Sequence, residues 1–278
     1  MKQFEVLIDG NPVGLDTFVF NGGESHVAFK EASEEFSVES AEIKATIHTA
    51  QDAMTFFMLV DAVKRTFHPT TLGVFMPYLP YSRQDRVCNE GEALSLKVFC
   101  DIVNTLGIDV IATLDCHSDV GVALLDGGMN VVPEHAMARN KELVDLIEDE
   151  NTVLISPDAG ANKKVLSVAK AFGGKEVIRA DKVRNTKDGS ITGTEVYGDV
   201  DGRTCLIIDD ICDGGFTFVL LASKLKLMGA KEVILYVTHG IFAKGVDVVL
   251  EGGVDYIFTT DYWPEGENEN VTVIDLYS

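Results

Sequence analysis

Residues 206–217 read Leu-Ile-Ile-Asp-Asp-Ile-Cys-Asp-Gly-Gly-Phe-Thr: an apolar run, two adjacent acids, a third acid and a pair of glycines. The apolar run predicts a buried strand, and the glycines before Phe216 predict a turn that opens a helix. Open α/β sheets bind ligands beyond the carboxyl ends of their strands. At such a place the amides of a glycine turn and of a helix N-terminus can surround a phosphate. Asp213, Gly214, Gly215 and Thr217 are therefore candidate phosphate-loop residues. Asp209 and Asp210 would repel a phosphate, so their expected work is to hold ribose hydroxyls or a metal ion. Acids alone would read as an acidic, capped turn. The complete strand-DD-x-x-D-G-G-x-T pattern points to function instead.

Charge restricts how such a site can work. The 278 residues carry 23 Lys and Arg against 44 Asp and Glu, a net charge of −21. That balance excludes DNA, RNA and anionic membranes as main partners, because phosphate backbones need a basic face. Phosphates must be handled locally, by a few placed cations, helix N-termini or a metal. Lys182 and Arg184 are candidate cations, although by themselves they read equally as solvated charges.

The elements that must position these residues follow from hydrophobic period. Strands are predicted at 4–8, 71–75, 109–114, 153–155, 177–178, 205–208, 233–237 and 256–258, each a β-branched or apolar run bounded by turn residues. Ala53, Phe56, Phe57, Val60, Val63 and Phe67 recur at helical steps, as do Leu96, Phe99, Ile102, Val103 and Leu106 before Gly107. Further helices are expected at 138–147, 161–172 and 216–228. Strands alternating with helix-length crossovers predict an α/β fold with mainly parallel sheets flanked by helices. Two similar domains are expected, residues 1–135 and 136–278, divided near Pro133. The polar stretch Arg184–Gly193 is expected to be a mobile loop or a hairpin tip.

Composition at 46% hydrophobic and 24% charged residues describes a folded globular chain. Five cysteines without a CxxC pair predict reduced thiols in a cytoplasmic protein. No run approaches the ~18 apolar residues of a membrane span. Asp9 interrupts any leader core, so neither an anchor nor a signal peptide is expected.

The 206–217 pattern resembles the phosphoribosyl-pyrophosphate loop of type I phosphoribosyltransferases and, more closely, of ribose-phosphate pyrophosphokinases. Other blocks favour the second family. Pro77-Tyr78-Leu79-Pro80-Tyr81-Ser82-Arg83-Gln84-Asp85-Arg86 resembles its nucleotide-binding segment, and Asp115-Cys116-His117-Ser118 its D-x-H metal segment. Ser156-Pro157-Asp158-Ala159-Gly160 is similar to its SPD-x-G segment, Lys182-Val183-Arg184 to its catalytic flexible loop, and Thr238-His239-Gly240-Ile241-Phe242 to a further family stretch. Phe20-Asn21-Gly22-Gly23-Glu24 resembles a turn that in the family reaches a neighbouring subunit's ATP. The blocks stand in the family's order across nearly the whole chain.

The resemblance implies two phosphoribosyltransferase-like domains and a Mg²⁺-dependent transfer of the diphosphoryl group of ATP to the 1-hydroxyl of ribose 5-phosphate. The products would be AMP and 5-phosphoribosyl 1-diphosphate, a precursor for nucleotide synthesis. It implies Lys182 and Arg184 as catalytic cations, and Phe20, Glu24, Arg83, Gln84, Asp85, Arg86 and His117 as ATP-binding residues. His117 and Asp158 would bind the metal, and Asp209, Asp210, Asp213, Gly214, Gly215 and Thr217 the ribose phosphate. It also implies a homo-oligomer, commonly a hexamer. The chain departs from the pattern at three places: Gly214 and Phe216 replace a threonine and a glycine of the loop, Gly22 replaces an acid, and an acidic Glu90-Gly91-Glu92 replaces a basic stretch. The alternatives are a non-catalytic regulatory paralogue and a phosphoribosyltransferase. The second would need neither the 83–86 block nor the 182–184 cations.

Overall fold

The computed structural model describes residues 3–30, 38–184, 191–264 and 266–276. The chain forms two compact units, residues 1–131 and 132–278, a division four residues before the expected one.

The first unit runs β1 (Phe4–Ile8), β2 (Asn11–Pro12), β3 (Leu15–Val19), β4 (Ser25–Phe29), β5 (Ser40–Ala45), α1 (Ala50–Phe67), β6 (Thr71–Phe75), α2 (Ser95–Thr105), β7 (Val110–Leu114), α3 (Asp119–Leu124) and β8 (Gly128–Val131). Its main sheet has the order β2-β1-β5-β6-β7-β8, parallel from β5 to β8 and antiparallel at the β1 and β2 edge. β3 and β4 form a separate antiparallel hairpin that the hydrophobic period does not announce, because β3 is almost wholly exposed. α1 begins with a capping box in which the Thr49 side chain accepts from the Asp52 amide while Asp52 accepts from the Thr49 amide. Such a cap is worth about 1 kcal/mol. The helix buries Phe56, Leu59, Val60 and Val63 against the sheet. Ile102 of α2 departs from expectation: it is 43% exposed and lines an apolar groove with Met54, Phe57, Tyr81 and Phe99.

The second unit runs α4 (Pro133–Met137), α5 (Lys141–Glu148), β9 (Thr152–Ser156), α6 (Asn162–Ala171), β10 (Val177–Arg184), β11 (Ile191–Tyr197), β12 (Thr204–Cys212), α7 (Phe216–Leu227), β13 (Glu232–Gly240), α8 (Asp247–Glu251), β14 (Tyr256–Tyr262) and β15 (Val271–Val273). Its sheet order is β11-β10-β9-β12-β13-β14-β15, parallel except for β11. Alternate residues of the central strands pack against opposite layers. Cys205, Ile207, Val233 and Leu235 join Leu221 and Leu225 of α7. Leu206, Ile208, Ile234 and Tyr236 join Leu143 of α5 and Val165 and Val168 of α6. A strand buried on both faces reads as a continuous apolar run, which explains the uninterrupted 205–208 segment. The helix expected at 138–147 is α5, which starts only at Lys141 because Asn140 accepts a hydrogen bond from the Leu143 amide and caps it; α4 before it is a separate helix that ends at Met137.

Candidate active site

In the second unit, three neighbouring strands end at different heights and bring the candidate residues together. β12 pairs with β9 only as far as Ile207 opposite Ile155, so Asp209 and Asp210 extend past the end of β9. β10 pairs with β9 as far as Arg179 opposite Ser156, so Lys182 also extends past it. Asp158 fills the step between them. Its Oδ2 accepts from Lys182 Nζ at 2.6 Å and its Oδ1 from the Ala161 amide at 3.0 Å. Burial raises the Asp158 carboxyl, but the Lys182 and Ala161 hydrogen bonds and the Lys182 charge outweigh it and hold the group below the ordinary carboxylate range.

The paired acids sit under the opposite influence. Asp209 is raised well above the ordinary value, first by burial and then by the charge of Asp210 beside it. Lys164 of α6, 3.6 Å from Asp210 Oδ1, offsets part of that repulsion. Asp210 shares the register of Leu206 and Ile208, whose side chains pack against α6, which is why a lysine of that helix can reach it. Lys164 escaped the sequence reading. Its only signal is a lysine in the first turn of the helix that follows Asp158.

After β12 the chain turns through Asp213, Gly214 and Gly215, and α7 starts at Phe216. Gly215 is the N-cap at φ 76°, and a Cβ there would lie 2.6 Å from Val249 Cγ2, so the turn needs glycine for both conformation and space. No side chain caps α7, which leaves its first amides facing outward. Thr217 is half-buried in the first helical turn, while Phe216 is 56% exposed.

Lys182 and Arg184 lie in strand β10, with Lys182 opposite Thr194 of β11. The flexible loop implied by resemblance is thus a hairpin arm at this level, longer than the two-residue strand expected at 177–178. Residues 185–190 and the side chain of Arg184 lie outside the described residues.

In the first unit the nucleotide block follows β6 and the D-x-H block follows β7, two adjacent parallel strands. The Leu114 amide donates to the Pro77 carbonyl at 2.9 Å, which ties the two blocks together. Asp85 is half-buried, and Arg86 Nε donates to its Oδ1 at 3.1 Å. Burial raises Asp85, but the nearby Ser118 hydroxyl, the Arg86 hydrogen bond and the charges of Arg86 and His117 bring it below its ordinary value. Arg83, Gln84 and His117 present exposed side chains around it. Phe20 and Glu24 sit on the β3–β4 turn, where the Phe20 amide donates to the Glu24 carbonyl at 2.9 Å. Phe20 packs edge-on against Phe18, with centroids 4.9 Å apart, and beside His26. Tyr81, Asp115 and Phe242 have φ of 63°, 49° and 44°, and each belongs to a motif block. Non-glycine residues in this region cost energy and concentrate at functional sites.

Among the described residues no group of three or more His, Cys, Asp or Glu side chains is arranged to hold a metal ion. Mg²⁺ makes few protein contacts and retains waters, so an ionised carboxylate such as Asp158 has the chemistry it requires.

The doubly covered parallel sheet, with acids and a glycine turn at its carboxyl edge, defines a protein of the phosphoribosyltransferase-like α/β class. Residues 130–268 match the phosphoribosyl transferase domain family, and residues 13–107 match the N-terminal domain of ribose phosphate pyrophosphokinase. The chain belongs to the ribose-phosphate pyrophosphokinase family. It is 30% identical to the ribose-phosphate pyrophosphokinase of Corynebacterium glutamicum over 97% of this chain and 83% of that relative. With the Corynebacterium efficiens enzyme of the same name it shares 31% identity over 92% of this chain and 79% of the relative. The crystal structure of phosphoribosylpyrophosphate synthetase from Mycobacterium smegmatis superposes with a TM-score of 0.76 at 26% identity, covering 96% of this chain and 87% of that one. No helix among the described residues is long and apolar enough to cross a membrane.

Proposed function

We propose that the chain transfers the diphosphoryl group of ATP to the 1-hydroxyl of ribose 5-phosphate, yielding AMP and 5-phosphoribosyl 1-diphosphate in the cytoplasm as a homo-oligomer. The observation that carries this reading is the cluster of Asp158, Lys182, Asp209 and Asp210 beside the glycine turn. It sits in a chain related to ribose-phosphate pyrophosphokinases over nearly its full length.

Transfer of a phosphoryl group depends on positioning and charge neutralisation more than on covalent chemistry. The 213–217 turn binds the 5-phosphate through its amides and the Thr217 hydroxyl, and Asp209 and Asp210 hold the ribose hydroxyls. Arg83, Gln84, Asp85 and Arg86 bind the nucleotide, with Phe20 and Glu24 of the hairpin as further nucleotide contacts. Lys182 and Arg184 stabilise charge that develops on the transferring group. Asp158 and, in the first unit, His117 are the residues we assign to Mg²⁺. When bound, the ion neutralises phosphate oxygens.

Purified chain incubated with ATP, Mg²⁺ and ribose 5-phosphate, with nucleotides and sugar phosphates separated by chromatography, tests the reading. Equal amounts of AMP and 5-phosphoribosyl 1-diphosphate are expected, and chelation by EDTA should stop their formation. Binding of ATP without turnover would replace the proposal with the non-catalytic regulatory paralogue, the alternative that the altered 213–217 turn keeps open.

A further inference from the structure

Lys244 is a cation with no motif to explain it. It lies in the turn after β13, and that turn is fastened to the end of β12. The Phe242 amide donates to the Cys212 carbonyl and the Ala243 amide to the Asp213 carbonyl, both at 3.0 Å. Phe242, 2% exposed at φ 44°, anchors the turn from below, and the Gly245 amide closes it on the Phe242 carbonyl at 2.8 Å. Lys244 therefore has a fixed relation to the 213–217 turn. A Cβ at Gly214 would meet Lys244 Cε at 3.8 Å and Cδ at 3.9 Å, so the lysine stem lies where a side chain at position 214 would point.

Electrostatics give that position a purpose. The turn is approached by three acids, Asp209, Asp210 and Asp213, in a chain of net charge −21. Amides of a glycine turn attract an anion, but the negative charge of the acids around it opposes one. Lys164 and Lys182 are engaged by Asp210 and Asp158. Lys244 is exposed and has no ion pair among the described residues.

We propose that Lys244 is a substrate-binding residue, the cation that holds the 5-phosphate of ribose 5-phosphate against the 213–217 turn beside Gly214. This rests on the function proposed above and adds a residue that none of the sequence blocks includes. The ammonium group supplies a charge-assisted hydrogen bond from the flank at Gly214, which has no side chain to offer.

Titration calorimetry of the full chain with ribose 5-phosphate, and separately with ATP, tests it without relying on turnover. Lys244→Ala should weaken ribose 5-phosphate binding by about 10- to 100-fold, the range of a hydrogen bond to a charged group, and leave ATP binding unchanged. Lys244→Arg should restore most of the affinity, and the salt dependence of ribose 5-phosphate binding should flatten in the alanine variant. Unchanged ribose 5-phosphate affinity in Lys244→Ala, or an equal loss for ATP, would overturn this inference alone. Failure of the unsubstituted chain to bind ribose 5-phosphate would overturn it together with the proposed function.

Discussion

Lys182 and Asp158, 24 positions apart in the chain, meet in an ion pair of 2.6 Å across the β9–β10 boundary. The contact joins a residue proposed for catalysis to one proposed for metal binding. Both oxygens of Asp158 are already engaged, by Lys182 and by the Ala161 amide. For Asp158 to hold Mg²⁺ and Lys182 to reach a transferring phosphoryl group, this pair must loosen, and a strand-borne lysine can do so by rotating its stem.

Lys182→Ala should therefore lower kcat by about 10²–10³-fold, the cost of losing one charge that acts on the transition state. The KM for ATP should change little, because the interaction matures only during transfer. Initial-rate kinetics at varied ATP separate the two parameters, and an unchanged kcat would remove Lys182 from the mechanism.

Asp210→Ala removes the carboxylate that pairs with Lys164. We expect the KM for ribose 5-phosphate to rise at least about 10-fold, as for loss of a hydrogen bond to a charged group. ATP binding should stay close to that of the unsubstituted chain. Parallel calorimetric titrations with each substrate check this. Loss confined to ATP would contradict the assignment.

Asp209 gives a pH-dependent prediction. Its carboxyl is raised by burial and by Asp210, so between the ordinary value and the raised one the folded chain keeps a proton that the unfolded chain has lost. Stability therefore falls as pH rises through that interval. Asp209→Asn removes the effect. In metal-free buffer its Tm should exceed that of the unsubstituted chain at neutral pH, by about 2–4 °C for each kcal/mol of relieved strain, and the gain should vanish below about pH 3.9. Thermal unfolding across a pH series measures it, and a gain that persists into acid would point to another cause.

Gly215→Ala should destabilise the second unit by roughly 1–3 kcal/mol, because φ is 76° and the new methyl would lie 2.6 Å from Val249 Cγ2. Adding Val249→Ala relieves the steric contact but not the backbone strain, and it opens a small cavity. Recovery should be partial. Urea unfolding of the single and double variants tells the two contributions apart. Full recovery would show that the left-handed conformation costs nothing here.

Sequence by itself determined the α/β class, the longer helices, the central strands except β5, and the blocks that mark the family. These are short-range facts. The 205–208 run is apolar because β12 is covered on both faces, and the helix-spaced face of α1 is legible within a few turns of chain. The β3–β4 hairpin, β11 and the exposure of Ile102 were not legible, because mostly exposed strands and groove-facing residues carry too few buried positions to set a period. Tertiary structure alone decided the pairings: Lys182 with Asp158, Lys164 with Asp210, Asp85 under the charge of His117, Lys244 beside Gly214. Each joins residues whose separation in the chain says nothing about their distance. Strand order and the heights at which neighbouring strands end bring them together, and those are set by how whole sheets pack and pair, not by any local stretch of residues.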